Sequence, residues 1–499
     1  MSRPAAFIRL IHAGWVLVRA DALAPREIDG ILPPSVRVLA RALRVFAGPQ
    51  GRKGRPGERL ARSLEHLGPA AIKLGQVVST RADIFGRVFA DDLGRLKDQL
   101  SPFPTEVARA VVAASLDRPV DSLFATFEEP IAAASLAQAH PATLADGRRV
   151  AVKVLRPGID RRVARDIETL ALAAQWIEAA VPLARRLEPR ALATTVARAL
   201  QLELDLRMEA AGASELAEIM AQDGHMRAPK VIWEGVGRRV LTLEWAEGMP
   251  LSDPASLEQP GLDRPALATH LMRAFLAQAM DHGVFHADLH EGNLFIAAPA
   301  QITAVDFGIV GRLDAVARRH LAEILWGFLQ RDYHRVAKAH FDAGYVPAHH
   351  SVDAFAQALR AVGEPNVGRP AYEVSMGRLL GQLFEITSLF DMHLRPELVL
   401  LQKTMVTVEG VARRIDPKHD RWEAAEPIVR RWIVRELSPA SRARELAGDA
   451  MRALKALARM AEPVEPPPAE PPRQSWGWLW FCLGAGLSAA GFAIYAALR

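Results

Sequence analysis

Apolar positions recur at helical spacing over most of the chain, and the exceptions locate the sheet. The glycine- and proline-containing stretch Gly48–Gly57 reads as a loop that sets off a short N-terminal arm. Residues 58–115 read as helices. A strand-rich patch follows over about 120–156, where Val150-Ala-Val-Lys-Val154 alternates with period two and Asp146-Gly147 supplies a turn. Helical spacing returns from about 160 to 222 and places Glu203, Asp205 and Glu209 on one predicted helix. Strands are expected again near Lys230–Trp233 and Arg239–Trp245. From Asp263 onward the pattern is mainly helical, interrupted by two polar loops. This order predicts an α+β, two-lobed fold. Its divisions are an arm over 1–57, a helical extension over 58–118, a sheet-containing lobe with inserted helices over 119–246, a helical lobe over 247–440, a helix and linker over 441–474, and an apolar segment over 475–499.

The apolar segment changes the picture most. Trp476–Leu498 runs without a charge, long enough as a helix to cross a hydrocarbon core of roughly 30 Å. Trp476, Trp478 and Trp480 cluster at its start, as interfacial aromatics do, and Gly484, Gly486 and Ser488 give it a small-residue side. The Pro- and Glu-rich stretch Glu462–Arg473 reads as a stiff linker before it. The expectation is therefore a C-terminal transmembrane helix, a single-pass anchor with the body on the cytoplasmic side. Near the other end, Phe7–Val18 is apolar but interrupted by Arg9 and His12, so it reads as an amphipathic or core helix, not a signal peptide.

Composition narrows the partners. The chain has 499 residues, half of them apolar, enough for two or three domains with large cores. Its one cysteine, Cys482, excludes an intramolecular disulfide framework and a Cys-rich zinc site. Residues 1–60 hold eleven Arg or Lys against four Asp or Glu, a bias that suits an anionic surface. No basic motif interleaved with aromatics accompanies it, so a membrane surface is preferred and no nucleic-acid partner is expected.

The two polar loops carry the chemistry. In His286-Ala-Asp-Leu-His-Glu-Gly-Asn293, Asp288 and Asn293 have the spacing in which the Asp handles a substrate proton and the Asn holds a metal. Asp306 opens Asp306-Phe-Gly308, whose carboxylate suits the Mg²⁺ that bridges nucleotide phosphates. Both loops in this order point to phosphoryl transfer with ATP and Mg²⁺. Lys153 on its strand matches the lysine that pairs phosphates and a helix glutamate, and Glu209 is the candidate partner. Leu241-Thr-Leu-Glu-Trp245 reads equally as a hinge, where Glu244 would meet an adenine edge, or as a plain core strand. No glycine-rich loop precedes Lys153. Ala132, Ala133, Ala134 and Ser135 stand there, and alanines lack the positive-φ freedom of a glycine loop, so nucleotide would be held differently. No A-P-E follows Asp306, and Asp314 begins a helix-like run, which disfavours an ordinary protein kinase with a peptide groove.

These residues resemble the UbiB family of atypical kinases. The match runs through K-x-G-Q at Lys73–Gln76, S-T-R-x-D at Ser79–Asp83, the alanine-rich Ala132–Ser135, V-A-V-K ending at Lys153, E-x-D at Glu203–Asp205, and the two catalytic loops. It continues in Arg331–Tyr333, Leu398–Thr404 and Val408–Gly410. The resemblance implies a protein-kinase-like fold with an added N-terminal helical subdomain, in which Lys73 and Gln76 cover the substrate groove, held by Glu203 and Asp205. It implies that Lys153 contacts phosphates, Glu209 pairs with Lys153, and Asn293 and Asp306 bind Mg²⁺. It also implies a role in ubiquinone biosynthesis at the cytoplasmic face of a bacterial inner membrane, with membrane lipids, quinone precursors and other ubiquinone-biosynthesis proteins as partners. Glu291 departs from the family's usual proline and is expected to add a carboxylate beside the metal site. A small-molecule phosphotransferase and a nucleotide-binding, lipid-associated scaffold remain the alternatives.

Overall fold

The computed structural model describes residues 3–23, 34–48, 53–79, 87–94, 96, 101–180, 188–366, 386, 389–392, 395–436 and 438. Five helices come first: α1 (Arg3–Arg19), α2 (Pro34–Leu43), α3 (Pro56–Leu67), α4 (Pro69–Ser79) and α5 (Arg87–Leu93). Gly68, at φ +101°, ends α3, and Pro69 opens α4 with its φ already set for a helix. Ala61, Leu64, Val78 and Leu93 form the small core between α3, α4 and α5. The glycine of the K-x-G-Q motif is part of that packing. A Cβ on Gly75 would sit 2.3 Å from Leu96 Cδ1 and 2.8 Å from Leu64 Cδ1.

The sheet lobe follows. Helix α6 (Thr105–Leu116) leads into β1 (Phe124–Phe127), β2 (Ala132–Ala133), β3 (Ala137–Leu144) and β4 (Arg149–Leu155). After α7 (Ile159–Ala180), α8 (Pro189–Glu203) and α9 (Leu206–Asp223), β5 (Val240–Glu244) completes an antiparallel sheet of order β1-β3-β4-β5, with β2 on β3. The alternation in β4 explains its two faces. Val150, Val152 and Val154 are fully buried against Ala108 and Val112 of α6, while Lys153 faces the other way. Two sequence expectations change here. Lys230–Trp233 is no strand: it makes one bridge, Val231 to Leu243, and turns into a 3₁₀ helix at Trp233–Gly235. And Glu203, Asp205 and Glu209 do not share a helix. The chain breaks at Leu204 and Asp205, because the Asp205 carboxylate accepts from Arg207 N at 3.2 Å and caps α9.

The helical lobe holds three short strand pairs among its helices. Its elements are β6 (Met249–Pro250), α10 (Arg264–Leu276), β7 (Val284–His286), β8 (Leu294–Ala297), β9 (Gln301–Ala304), β10 (Val310–Arg312), α11 (Ala315–Leu329), α12 (Tyr333–Asp342), α13 (Val352–Gly363), α14 (Pro396–Ile415) and α15 (Arg421–Glu436). Strand β6 pairs with β8, β8 with β9, and β10 with β7. The largest core runs through α10, α14 and α15 onto these pairs. Gly311 lets β10 lie on β7, since a Cβ there would come within 2.2 Å of the buried Phe285 ring. Helix α11 starts behind its Asp314 cap, seven residues after Gly308, so no long loop intervenes.

The fold is α+β, but the spanning helix expected as part of it is corrected. No described helix is long and apolar enough to cross a membrane. The longest ones are interrupted by charge: α7 carries Asp160, Arg161, Arg165 and Glu168, and α14 carries Lys403, Glu409 and Arg413. Residues 475–499, on which that expectation fell, and the linker over 441–474 lie outside the described residues.

Candidate active site

Lys153 joins three elements. Its Nζ donates to Glu209 Oε1 and Oε2 of α9 at 2.7 and 3.0 Å, and to Asp306 Oδ1 at 3.1 Å. Period two aims Lys153 off the valine face of β4, and the Asp205 cap sets the start of α9, which presents Glu209 in its first turn. Burial opposes the Lys153 charge, but Asp306 and Glu209 outweigh it and raise its pKa. Burial pushes Glu209 up to about 7 against the pull of Lys153. Lys153 holds the half-exposed Asp306 carboxylate down to about 2. Asp306 sits at φ +62°, a region that side-chain-bearing residues rarely occupy, so its carboxylate is aimed at a cost in backbone strain.

The loop after β7 is held by its own backbone. His286 is fully buried, accepts from Asp288 N at its Nδ1 (3.1 Å), and therefore donates from Nε2 to Val305 O (3.1 Å). This one imidazole ties the two polar loops together, and its burial lowers its pKa, so it stays neutral. Asn293 Nδ2 donates to Asp288 O at 3.0 Å, which leaves the amide oxygen for another partner. Asp288 is half-exposed, 3.6 Å from His290 Nε2. Helix α14 braces this loop twice. Thr404 Oγ1, on α14, lies 3.0 Å from Ala287 O, and Arg414 pairs with Glu291. Glu291 thus turns to Arg414, and its charge is matched there.

A cleft of about 470 Å³ lies between the lobes. Lys153, Glu209, Glu244, Asp288, Asn293 and Asp306 line it, with Ala132 and Ala134 from the alanine turn. Ala133 and Ser135 are not among its described lining residues; Ser135 is buried in the turn, which Ala134 N closes by donating to Ala137 O at 2.8 Å. Lys73 and Gln76 of α4 line the same cleft, and Lys73 pairs with Glu203 at the end of α8. Asp205 does not join that pair. It holds Arg207 at 2.6 Å and caps α9. At Glu244 the N–H is committed to Lys230 O (2.9 Å), and Trp245 N to Arg149 O (3.1 Å). Ala246, next along and also lining the cleft, donates to no group among the described residues. Sequence reading missed Ala246, Thr404 and Arg414. Only Thr404 carried a signal, through its place in the Leu398–Thr404 match.

The Arg414–Glu291 pair is about one-third exposed on both sides, so it contributes at most about 1 kcal/mol to stability. Its effect is to fix the loop. Arg414→Ala should leave the thermal midpoint nearly unchanged while amide hydrogen exchange over residues 288–293 rises by roughly 10-fold. Unchanged exchange would assign the bracing to Thr404 alone.

Two family models match the chain: the ABC1 atypical kinase-like domain over residues 95–340 and the UbiB helical domain over residues 359–420. The first spans the sheet lobe and both polar loops, and the second contains α14. The chain is 38% identical over 454 residues to a probable protein kinase UbiB of Pseudomonas putida (strain W619), covering 88% of this chain and 84% of that protein. The protein of the same name from Cellvibrio japonicus (strain Ueda107) is 38% identical over 448 residues, covering 88% and 80%. That from Xylella fastidiosa (strain M12) is 38% identical over 397 residues, covering 78% and 72%. A solved chain titled the complex structure of Rv3197-erythromycin from Mycobacterium tuberculosis superposes with a TM-score of 0.49 at 22% identity over 71% of this chain and 90% of that one, too loose a likeness to bear on the fold. With Lys153, Asp288, Asn293 and Asp306 gathered on one cleft inside the matched kinase-like domain, this chain belongs to the UbiB family of atypical kinases.

Proposed function

We propose that the protein binds ATP with Mg²⁺ in the cleft between its lobes and turns it over as an atypical kinase or ATPase supporting ubiquinone biosynthesis at a membrane face. The observation that carries this reading is the convergence of Lys153 on Glu209 and Asp306, opposite Asp288 and Asn293. Hard oxygen donors suit Mg²⁺, and the Asp306 carboxylate with the Asn293 amide oxygen, freed because Nδ2 is already engaged, makes such a set. When bound, the ion would neutralise charge on the transferring phosphate. Lys153 would orient phosphate oxygens, with Glu209 holding its ammonium in place. Asp288 would accept the proton of the attacking hydroxyl or water. Ala246 N–H would meet an adenine edge, with the Ala132–Ala134 turn above the nucleotide.

The K-x-G-Q helix supports the assignment to something other than a peptide kinase. Lys73 and Gln76 line the cleft that Asp288 also lines, and the Lys73–Glu203 pair is mostly buried. A helix held there by charge would exclude an extended peptide while leaving room for water or a small phenolic precursor.

The membrane reading is supported by α1. Ile8, Ile11 and Trp15, at spacings of three and four, share one face of α1 and are exposed, as are Val45 and Phe46 beyond α2. Arg19, Arg41 and Lys53 lie exposed in the same region of the chain. Apolar side chains beside basic ones give the two signals that hold a protein on an anionic bilayer.

Asp306→Asn should abolish Mg²⁺-dependent ATP turnover while circular dichroism and thermal midpoint stay near wild type. Turnover by a folded Asp306→Asn variant would sink the assignment. For the membrane face, Ile8→Ser with Ile11→Ser should weaken binding to vesicles containing phosphatidylglycerol by roughly 10-fold or more, since each isoleucine taken from apolar contact is worth about 1.5–3 kcal/mol when fully buried. Equal vesicle binding by wild type and variant would remove α1 from the membrane surface.

A further inference from the structure

Far from the cleft in sequence, three metal-capable side chains meet on the helical lobe. His349 and His350 lie in the connection between α12 and α13, and Asp391 lies in the segment before α14. One nitrogen from each imidazole and one Asp391 oxygen all lie within 4.8 Å of one another. Asp391 Oδ2 is 3.3 Å from His350 Nε2 and 3.8 Å from His349 Nε2, and the two rings are 4.2 Å apart between centroids.

These separations say what the cluster is suited to. They are long for charge-assisted hydrogen bonds, which close to about 2.7–2.9 Å. They approach the edges of a tetrahedron around zinc: bonds of about 2.0–2.2 Å to imidazole nitrogen and carboxylate oxygen place neighbouring ligand atoms about 3.3–3.5 Å apart. The His350–Asp391 edge already has that span, and the His349–Asp391 edge, at 3.8 Å, reaches it by a small side-chain rotation. Other histidine–aspartate contacts, such as His334 with Asp353 at 3.4 Å, are isolated pairs. Among the described residues only this group brings three ligand-bearing side chains together. The cluster also rests on a firm base. Phe390 packs on Phe355 at 4.9 Å and on the His350 ring at 5.3 Å, and Phe355, Leu359 and Ile386 are buried in the core beneath. Asp391 itself is held at φ +47°. The sequence distance between its two halves is the functional point: an ion here would tie Asp391, which precedes α14 in the sequence, to the α12–α13 connection. Helix α14 is the element that braces the catalytic loop through Thr404 and Arg414.

We propose that His349, His350 and Asp391 form a binding site for one borderline divalent cation of the zinc class, with a fourth position open to water, which clasps the segment preceding α14 to the helical lobe. Histidine nitrogen with one carboxylate favours zinc over Mg²⁺, which asks for six oxygen-type ligands, so the site is chemically distinct from the oxygen set at Asn293 and Asp306.

The test uses the full chain, stripped with chelator and dialysed. Titration with Co²⁺ should give the visible bands of a four- or five-coordinate ion, and Zn²⁺ should displace it at one equivalent per chain. Asp391→Asn and His350→Ala should each weaken Co²⁺ binding by more than about 10-fold. Asp306→Asn should leave it unchanged, which separates this site from the cleft. Zn²⁺ should also raise the thermal midpoint of the wild type and not that of His349→Ala with His350→Ala, whose fold is checked by circular dichroism without metal. Cobalt binding that survives in the double histidine variant, or is absent from the wild type, would overturn the proposal.

Discussion

The structure depends on one partly buried cation shared between two carboxylates. Lys153 comes from the sheet, Glu209 from the first turn of α9, and Asp306 from the loop after β9, so a single ammonium couples both lobes and the helix between them. Two acids around one base leave a net negative site. Burial pushes Glu209 up to about 7, and Asp306 is kept ionised chiefly by Lys153. Such an arrangement contributes little to stability alone, because Glu209 is desolvated, Lys153 is partly so, and the half-exposed Asp306 pairs in competition with water. It fits the proposed role, in which a dication and a polyphosphate would redistribute the same charges on binding.

The rest of the fold positions that group. His286 locks the two polar loops to each other through backbone atoms, and Thr404 and Arg414 of α14 press the first of them into place. On the opposite wall, α4 brings Lys73 to Glu203, with Gly75 allowing close packing on Leu64 and Leu96. The geometry of the candidate site is thus held by elements from both matched family regions and by the N-terminal helices.

Much of the site was legible in the sequence, for a physical reason. The spacing from Asp288 to Asn293, the turn at Asp306 and the alternation around Lys153 are local properties, set by backbone geometry over a few residues. What failed was decided by competition or by distance. Glu203 and Asp205 looked like neighbours on one helix, yet Asp205 gains more by capping α9 than by extending α8, so only Glu203 reaches Lys73. Glu291 looked like an extra acid at the metal site, but its partner Arg414 is 123 residues away and nothing local announces it. Glu244, read equally as hinge or core strand, does line the cleft, but strand pairing takes its N–H, so the backbone donor at that wall is Ala246, which nothing local announced. The expected spanning helix rested on residues 475–499, outside the described residues, and no described helix replaces it.

The central claim is that Lys153 is held for phosphate by Glu209 and Asp306. Titration calorimetry of ATP into wild type and into Lys153→Met, each with and without Mg²⁺, tests it most directly. The account predicts tight binding by wild type only with Mg²⁺, and a loss of roughly 10-fold or more in Lys153→Met, the value of one charge-assisted contact of about 1.5–3 kcal/mol. Equal affinity of the two proteins for ATP with Mg²⁺ would contradict it.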